Sequence, residues 1–243
     1  MRITERFDCF RGTSKETVAR KFGVHGVNVF ARKAATSMRV DWQQHWEAVY
    51  RTRRPGEVSW YQENAVRSLA LIRRTGVSLA APIIDVGAGA SRLVDHLLAD
   101  GFTDITLLDV SVAALRQVRH RLGLAAERIT WIEADITMLV PLRRFQVWHD
   151  RAVFHFLTNA QDRQRYVSVL RGALAPHGDV VIATFGLDGP KRCSGLPVQG
   201  YNAATLAAEL GSGFTRMAEE QESHVTPTGA VQLFQYCWFR ANA

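Results

Sequence analysis

The chain has 243 residues, 47% of them apolar and 22% charged, with 30 Lys and Arg against 23 Asp and Glu for a net charge of +7. That composition excludes a disordered or fibrous chain, and the length suffices to bury a core without disulfide or metal staples. The absence of a long uninterrupted apolar run excludes a transmembrane helix. Cys9, Cys193 and Cys237 lie far apart with no C-x-x-C pair, which excludes a disulfide framework or a structural zinc site and fits a reducing, cytoplasmic location.

The charge is concentrated at one end. Residues 1–54 hold 12 Lys/Arg and 5 Asp/Glu, so the rest of the chain is formally neutral. Residues 1–37 show weak periodicity and read as a basic extension, a solvated or disordered arm. They lack the apolar block of a secretory signal, and Met38 is an alternative start. A basic arm of this kind is also what a nucleic-acid-binding module would carry.

From residue 38 the pattern becomes regular. Trp42, Trp46 and Tyr50 follow one another at i, i+4 and i+8 on one helix face, which Pro55-Gly56 breaks. Residues 61–75 read as a second amphipathic helix closed by Gly76. Strands are then expected at 82–87, 104–110, 129–133, 145–149 and 179–185. Between them lie helices at 91–100, from Ser111 as N-cap to Gly123, and at 160–175 before Pro176. A helix near 203–210 precedes two long strands, 213–224 and 230–240, joined closely enough to be a hairpin. The expected fold is α/β: a Rossmann-like, doubly wound, seven-stranded sheet, mostly parallel with a C-terminal antiparallel hairpin. Residues 38–243 would form one domain, with 38–76 as a helical lid and 77–243 as the sheet portion.

Chemistry gathers at the strand tips. The first strand runs into Asp85-Val86-Gly87-Ala88-Gly89, where two glycines let the backbone approach a ligand at a helix N-terminus. Arg92 occupies the place of the third glycine of a dinucleotide fingerprint, so an NAD(P)-dependent oxidoreductase is the weaker alternative. Asp109 ends the second strand where a carboxylate can accept from both hydroxyls of a ribose; it also reads as a cap for the helix opening at Ser111. Asp135 follows the third strand, where it can accept from an adenine amino group while the next backbone N–H reaches a ring nitrogen. It also reads as an ordinary turn aspartate.

Together these residues resemble the class I S-adenosylmethionine-dependent methyltransferases, over roughly residues 41–240. The resemblance implies that Asp85, Gly87 and Gly89 hold the methionine part of S-adenosylmethionine, Asp109 and Val110 the ribose, and Asp135 with Ile136 the adenine, with S-adenosylhomocysteine as product. The segment His149-Asp150-Arg151-Ala152 looks like the D-R-G-A stretch of the thiopurine methyltransferases and their small-molecule relatives, and is similar to a D-K-G-T-F-D stretch of some lysine methyltransferases. Ala152 and His155 depart from those patterns. Trp46, Tyr50 and Trp60-Tyr61-Gln62 resemble the thiopurine-type aromatic lid, so Trp46, Trp60 and Arg151 join the expected cofactor contacts. Arg151-Ala152 stands where nucleic-acid amino-methylases carry prolines, which argues against a nucleic-acid acceptor.

The implied reaction is in-line methyl transfer to a small-molecule nucleophile, or alternatively to a protein lysine, with no metal and no membrane partner. Oligomeric state is not legible. An amine acceptor needs a proton acceptor, for which Asp150 and His155 are the expected catalytic residues, with His149 also in reach. His149 and His155 read equally as surface histidines. The Gly/Pro-rich loop 186–200 is placed to cover a substrate, and His224 precedes the last turn. Cys193, next to Arg192 and near Lys191, is a weak candidate for a lowered thiol pKa.

Overall fold

The apolar runs at Ile83–Val86 (β1), Ile105–Asp109 (β2), Ile129–Glu133 (β3), Phe145–Arg151 (β4) and Leu174–Phe185 (β5) are rich in β-branched and aromatic residues and form strands of one sheet. In the computed structural model, residues 41–141 and 143–242 are described. The extension at 1–37 and the alternative start at Met38 lie outside the described residues. A two-residue hairpin, β6 (Arg192–Cys193) with β7 (Leu196–Pro197), sits in the loop after β5, and the long strands β8 (Phe214–Val225) and β9 (Val231–Ala241) close the chain.

The sheet order is β3-β2-β1-β4-β5-β9-β8, parallel from β3 to β5 and antiparallel at β9 and β8. The chain leaves β1 to either side, so a crevice opens at the carboxyl ends of β1 and β4, where open α/β sheets take ligands. The expected seven-stranded sheet and its terminal hairpin are both present.

Among the described residues six α-helices flank the sheet: α1 (Trp42–Thr52), α2 (Val66–Arg74), α3 (Leu93–Ala99), α4 (Val112–Leu122), α5 (Ala160–Ala173) and α6 (Ala203–Leu210). Strand alternation divides the core in two. Ile83, Leu107, Val147 and Val181 face α2, α3 and α4, while Ile84, Leu108, Trp148 and Ile182 face α5 and α6. The second helix is shorter than the periodicity predicts. It begins at Val66 because Trp60–Ala65 runs in irregular backbone, where the Trp60 carbonyl accepts from Arg151 Nη1 at 2.9 Å.

Candidate active site

Gly87 and Gly89 adopt φ of +62° and +53°, the left-handed region in which glycine carries no Cβ penalty. Space also demands glycine here. A Cβ at Gly87 would overlap Val153, and one at Gly89 would overlap the Tyr50 hydroxyl. Asp109 Oδ2 accepts from Gly89 N and its Oδ1 from Ser111 N, both at 2.8 Å. Burial pushes the Asp109 carboxyl up to about 6, opposed by these backbone donors. Ser111 caps α4, and Glu47 of α1 accepts from Ser111 Oγ at 2.8 Å and Ala113 N at 2.9 Å. Those backbone and hydroxyl donors hold the Glu47 pKa below its usual value and fasten α1 to the crevice rim. Asp135 Oδ1 caps the following turn by accepting from Thr137 N and Oγ1, each at 2.8 Å.

A cleft of about 1260 Å³, continuous with solvent, opens among these elements. Asp85, Gly87, Asp109, Val110, Asp135 and Ile136 lie along one part of its wall, and Trp46, Trp60 and Arg151 border it as well. Gly89 is not on the wall, because Tyr50 is seated over it. The aromatic side is built from edge-on contacts, Trp46 to Trp60 at 5.5 Å and Trp46 to Phe156 at 5.0 Å. Strand-tip carboxylates that retain free lone pairs, a glycine cradle and an aromatic wall suited to a sulfonium cation together fit S-adenosylmethionine.

The far end of the cleft differs from expectation in which groups face it. On β4 the side chains alternate, so His149 and Arg151 point to the cleft while Asp150 points into the opposite core. Asp150 is fully buried, accepts from Tyr166 Oη at 2.6 Å and Val153 N at 3.0 Å, and is pushed up to about 6 by burial. Its hydrogen bonds fix the turn at Ala152, whose φ is +72°. His155 is also fully buried and off the cleft wall; its Nδ1 accepts from Phe185 N at 3.2 Å, and burial lowers its pKa to about 3. Neither residue is placed to touch an acceptor, so the expectation that they are catalytic gives way to a structural role for each. Cys193 reaches the wall, yet burial raises its thiol to about 11, contrary to a lowered value. His224 is held by Ser59, its Nε2 lying 2.7 Å from the carbonyl oxygen.

Two features escaped sequence reasoning. Ser68 of α2 faces the cleft and lies 2.8 Å from His149 Nε2, whose Nδ1 lies 2.7 Å from Asp85 Oδ1. Nothing in the helical pattern marks Ser68, but the paired register Asp85↔His149 follows once β1 and β4 are neighbours. The second is Tyr236 of β9, which accepts from Arg151 Nε at 2.9 Å and donates to Glu222 at 3.0 Å. Arg151 also stacks over Phe234 at 4.3 Å, and Glu222 lies 3.9 Å from its Nη2. Among the described residues no group of His, Cys, Asp or Glu gathers in a metal-holding arrangement, and no helix is long and apolar enough to cross a membrane.

Residues 84–180 match a family model described as a methyltransferase domain. The chain is 26% identical over 158 residues to EEF1A lysine methyltransferase 2 of Danio rerio, a match covering 58% of this chain and 67% of that one. Among solved structures, a protein described under the conversion of a disulfide bond into a thioacetal group during echinomycin biosynthesis aligns with TM-score 0.67 at 18% identity, covering 82% of this chain and 91% of that one. The 1,6-didemethyltoxoflavin-N1-methyltransferase of Burkholderia thailandensis, with S-adenosylhomocysteine bound, aligns with TM-score 0.64 at 21% identity, covering 83% and 87%. Domain match, sheet order and glycine cradle agree: the chain carries a methyltransferase domain on the class I fold and is an S-adenosylmethionine-dependent methyltransferase.

Proposed function

We propose that the enzyme methylates a nitrogen of a small molecule, and that the cofactor is held by the residues expected from the strand tips. In this reading Asp109, with Val110, takes the ribose hydroxyls, Asp135 and Ile136 take the adenine, and Gly87 and Asp85 border the methionine part, with Gly89 shaping the turn beneath Tyr50. Trp46 and Trp60 supply the aromatic wall, while Arg151 sits at the acceptor end. The bound cofactor supplies an electrophilic methyl on a sulfonium; the chain's task is to position the nucleophile and exclude water. The observation that carries the small-molecule reading is the set of side chains that line the acceptor end. Ser68, His149, Arg151, Phe185, Trp60 and Tyr61 line it, and the β6–β7 hairpin brings Cys193 to the same wall. The similarity to a small-molecule N1-methyltransferase supports the same reading.

A protein lysine is the second reading, favoured by the similarity to a protein named as a lysine methyltransferase. Tritium-labelled S-adenosylmethionine, incubated with the full chain and a cell extract, separates the two. Label in the low-molecular-weight fraction is the expected result, and label confined to a protein band overturns it. A cytoplasmic location remains part of the proposal, supported by Cys193 and Cys237 both being free thiols.

A further inference from the structure

Ser68, Asp85 and His149 are all buried, at 0%, 3% and 3% exposure, yet all three border the cleft. A buried polar cluster is costly unless each member is satisfied, and here the members satisfy one another. With the proton on His149 Nδ1, the 2.7 Å contact is a hydrogen bond donated to the Asp85 carboxylate. In that tautomer Nε2 is an acceptor, 2.8 Å from Ser68 Oγ and in reach of the serine proton. Carboxylate, imidazole and hydroxyl stand in the order used elsewhere to move a proton off an oxygen. Three different elements supply them, β1, β4 and α2, so the array is a product of the tertiary fold.

We propose that this array is a proton relay serving a primary or secondary amine acceptor, with Ser68 as the group that touches the reacting nitrogen. The inference rests on the small-molecule nitrogen reading above and specifies it, since a thiolate or a tertiary amine would have no proton to give up. In the transfer, the nitrogen lone pair forms the new N–CH3 bond while the methyl–sulfur bond breaks with its electron pair going to sulfur. The N–H proton passes to Ser68 Oγ as the serine proton passes to His149 Nε2. The resulting imidazolium donates from Nδ1 to Asp85, and its proton returns to water after product leaves. His149 and Asp85 act through Ser68 and are positioning residues. The other charged and titratable groups around the array are Arg151 and Asp150 on β4, Tyr236 on β9, whose hydroxyl Ser68 also faces, and Glu222 on β8 beyond it.

Two measurements on the full chain test the relay. Histidine ring 15N spectra of the protein without added ligand should show His149 as the Nδ1–H tautomer, with its Nε2 resonance shifted in Ser68→Ala. An Nε2–H tautomer, or an Nε2 resonance indifferent to Ser68→Ala, overturns the proposal whatever the acceptor is. With labelled S-adenosylmethionine and the low-molecular-weight extract, Ser68→Ala should lose about 100-fold in single-turnover methylation while binding S-adenosylhomocysteine as the wild type does. His149→Gln, whose amide can hold both hydrogen bonds but take no proton, should lose the same rate; wild-type rate in either variant overturns the relay. If the wild type labels only protein, the small-molecule reading fails instead, and the same variants decide the relay on the protein band.

Discussion

In the proposed site Asp109 would join cofactor binding to stability through its ionisation, and Asp109→Asn separates the two. The buried carboxyl titrates at about 6 in the folded chain against 3.8 for the unperturbed group. The folded state therefore holds a proton in the window between those values that the unfolded chain releases, and the stability this provides is lost as pH rises through 6. For one such group, folding is about 1.4 kcal/mol more favourable near pH 5 than near pH 8, or about 4 °C in melting temperature for a domain of this size. Asp150, also raised to about 6, adds the same sign, and His155, lowered to about 3, the opposite one. Both cancel when wild type and Asp109→Asn are compared. At fixed high pH the variant removes a buried charge but leaves one of two backbone N–H donors without an acceptor, a cost of about 1–3 kcal/mol. The two changes roughly offset at pH 8, and the variant becomes the less stable protein at pH 5. Urea denaturation at half-unit steps of pH gives the difference curve directly. A flat curve, with the variant tracking the wild type from pH 5 to 8, would refute a buried, proton-holding Asp109. Calorimetry with S-adenosylhomocysteine completes the test: the variant should lose about 1.5–3 kcal/mol of binding with the charge-assisted ribose hydrogen bonds.

Gly89→Ala forces a Cβ against the Tyr50 hydroxyl at a φ of +53°. It should cost about 1–3 kcal/mol in thermal denaturation and weaken S-adenosylhomocysteine binding by moving the lid aromatics; an unshifted melting temperature would contradict the seating of Tyr50. Tyr166 joins Trp148 Nε1 to Asp150 in the core away from the cleft, at 2.9 and 2.6 Å. Tyr166→Phe should lower stability by about 2–4 kcal/mol and leave S-adenosylhomocysteine affinity unchanged, with altered affinity as the adverse result. Cys193, with its thiol raised to about 11, is ionised to only about one part in a thousand at pH 8. Peptide mapping after iodoacetamide should find it unmodified in the native protein and modified after denaturation, and rapid native alkylation would falsify its burial.

Much of the fold could be read from residue pattern because the signals are local. Ser111 and Gly123 bound α4 where cap chemistry says they should, and the near-continuous apolar runs at Ile83–Val86 and Ile105–Asp109 are buried on both faces. The strand-tip acids were legible for the same reason, since a carboxylate at the end of a parallel strand opens on the crevice whatever the helices do. Which of the candidate proton acceptors Asp150, His155 and His149 faces the cleft was not legible. Asp150 and His155 have the chemical types that such chemistry uses, but strand alternation sends Asp150 to the α5 side, and packing against Phe185 seals His155. His149 and Arg151, each one residue from Asp150, share the face of Asp85. That assignment needs the register between β1 and β4, which is a long-range fact. Ser68 was invisible because a serine inside an amphipathic helix carries no signal until its tertiary partner is known.

The contact of Asp85 with His149 bears on why a histidine would serve in the proposed relay. Asp85 lies at the end of β1 beside the glycine turn and also holds His149 Nδ1. Before transfer, the bound donor brings one positive charge to this side of the cleft and the imidazole brings none. After transfer the sulfur is neutral, and a proton taken by His149 restores one positive charge beside the same carboxylate. The net charge facing Asp85 is then unchanged across the reaction, so the enclosed site avoids the desolvation cost of creating or losing a buried charge. A lysine in place of His149 would set a second cation against the incoming sulfonium. A purely apolar residue there would leave the displaced proton on the product and Asp85 without its donor. On this reasoning His149→Lys should weaken S-adenosylmethionine binding more than S-adenosylhomocysteine binding, because only the former carries the sulfonium charge. Equal weakening of both ligands in calorimetry would place the sulfonium out of electrostatic reach of Asp85 and His149.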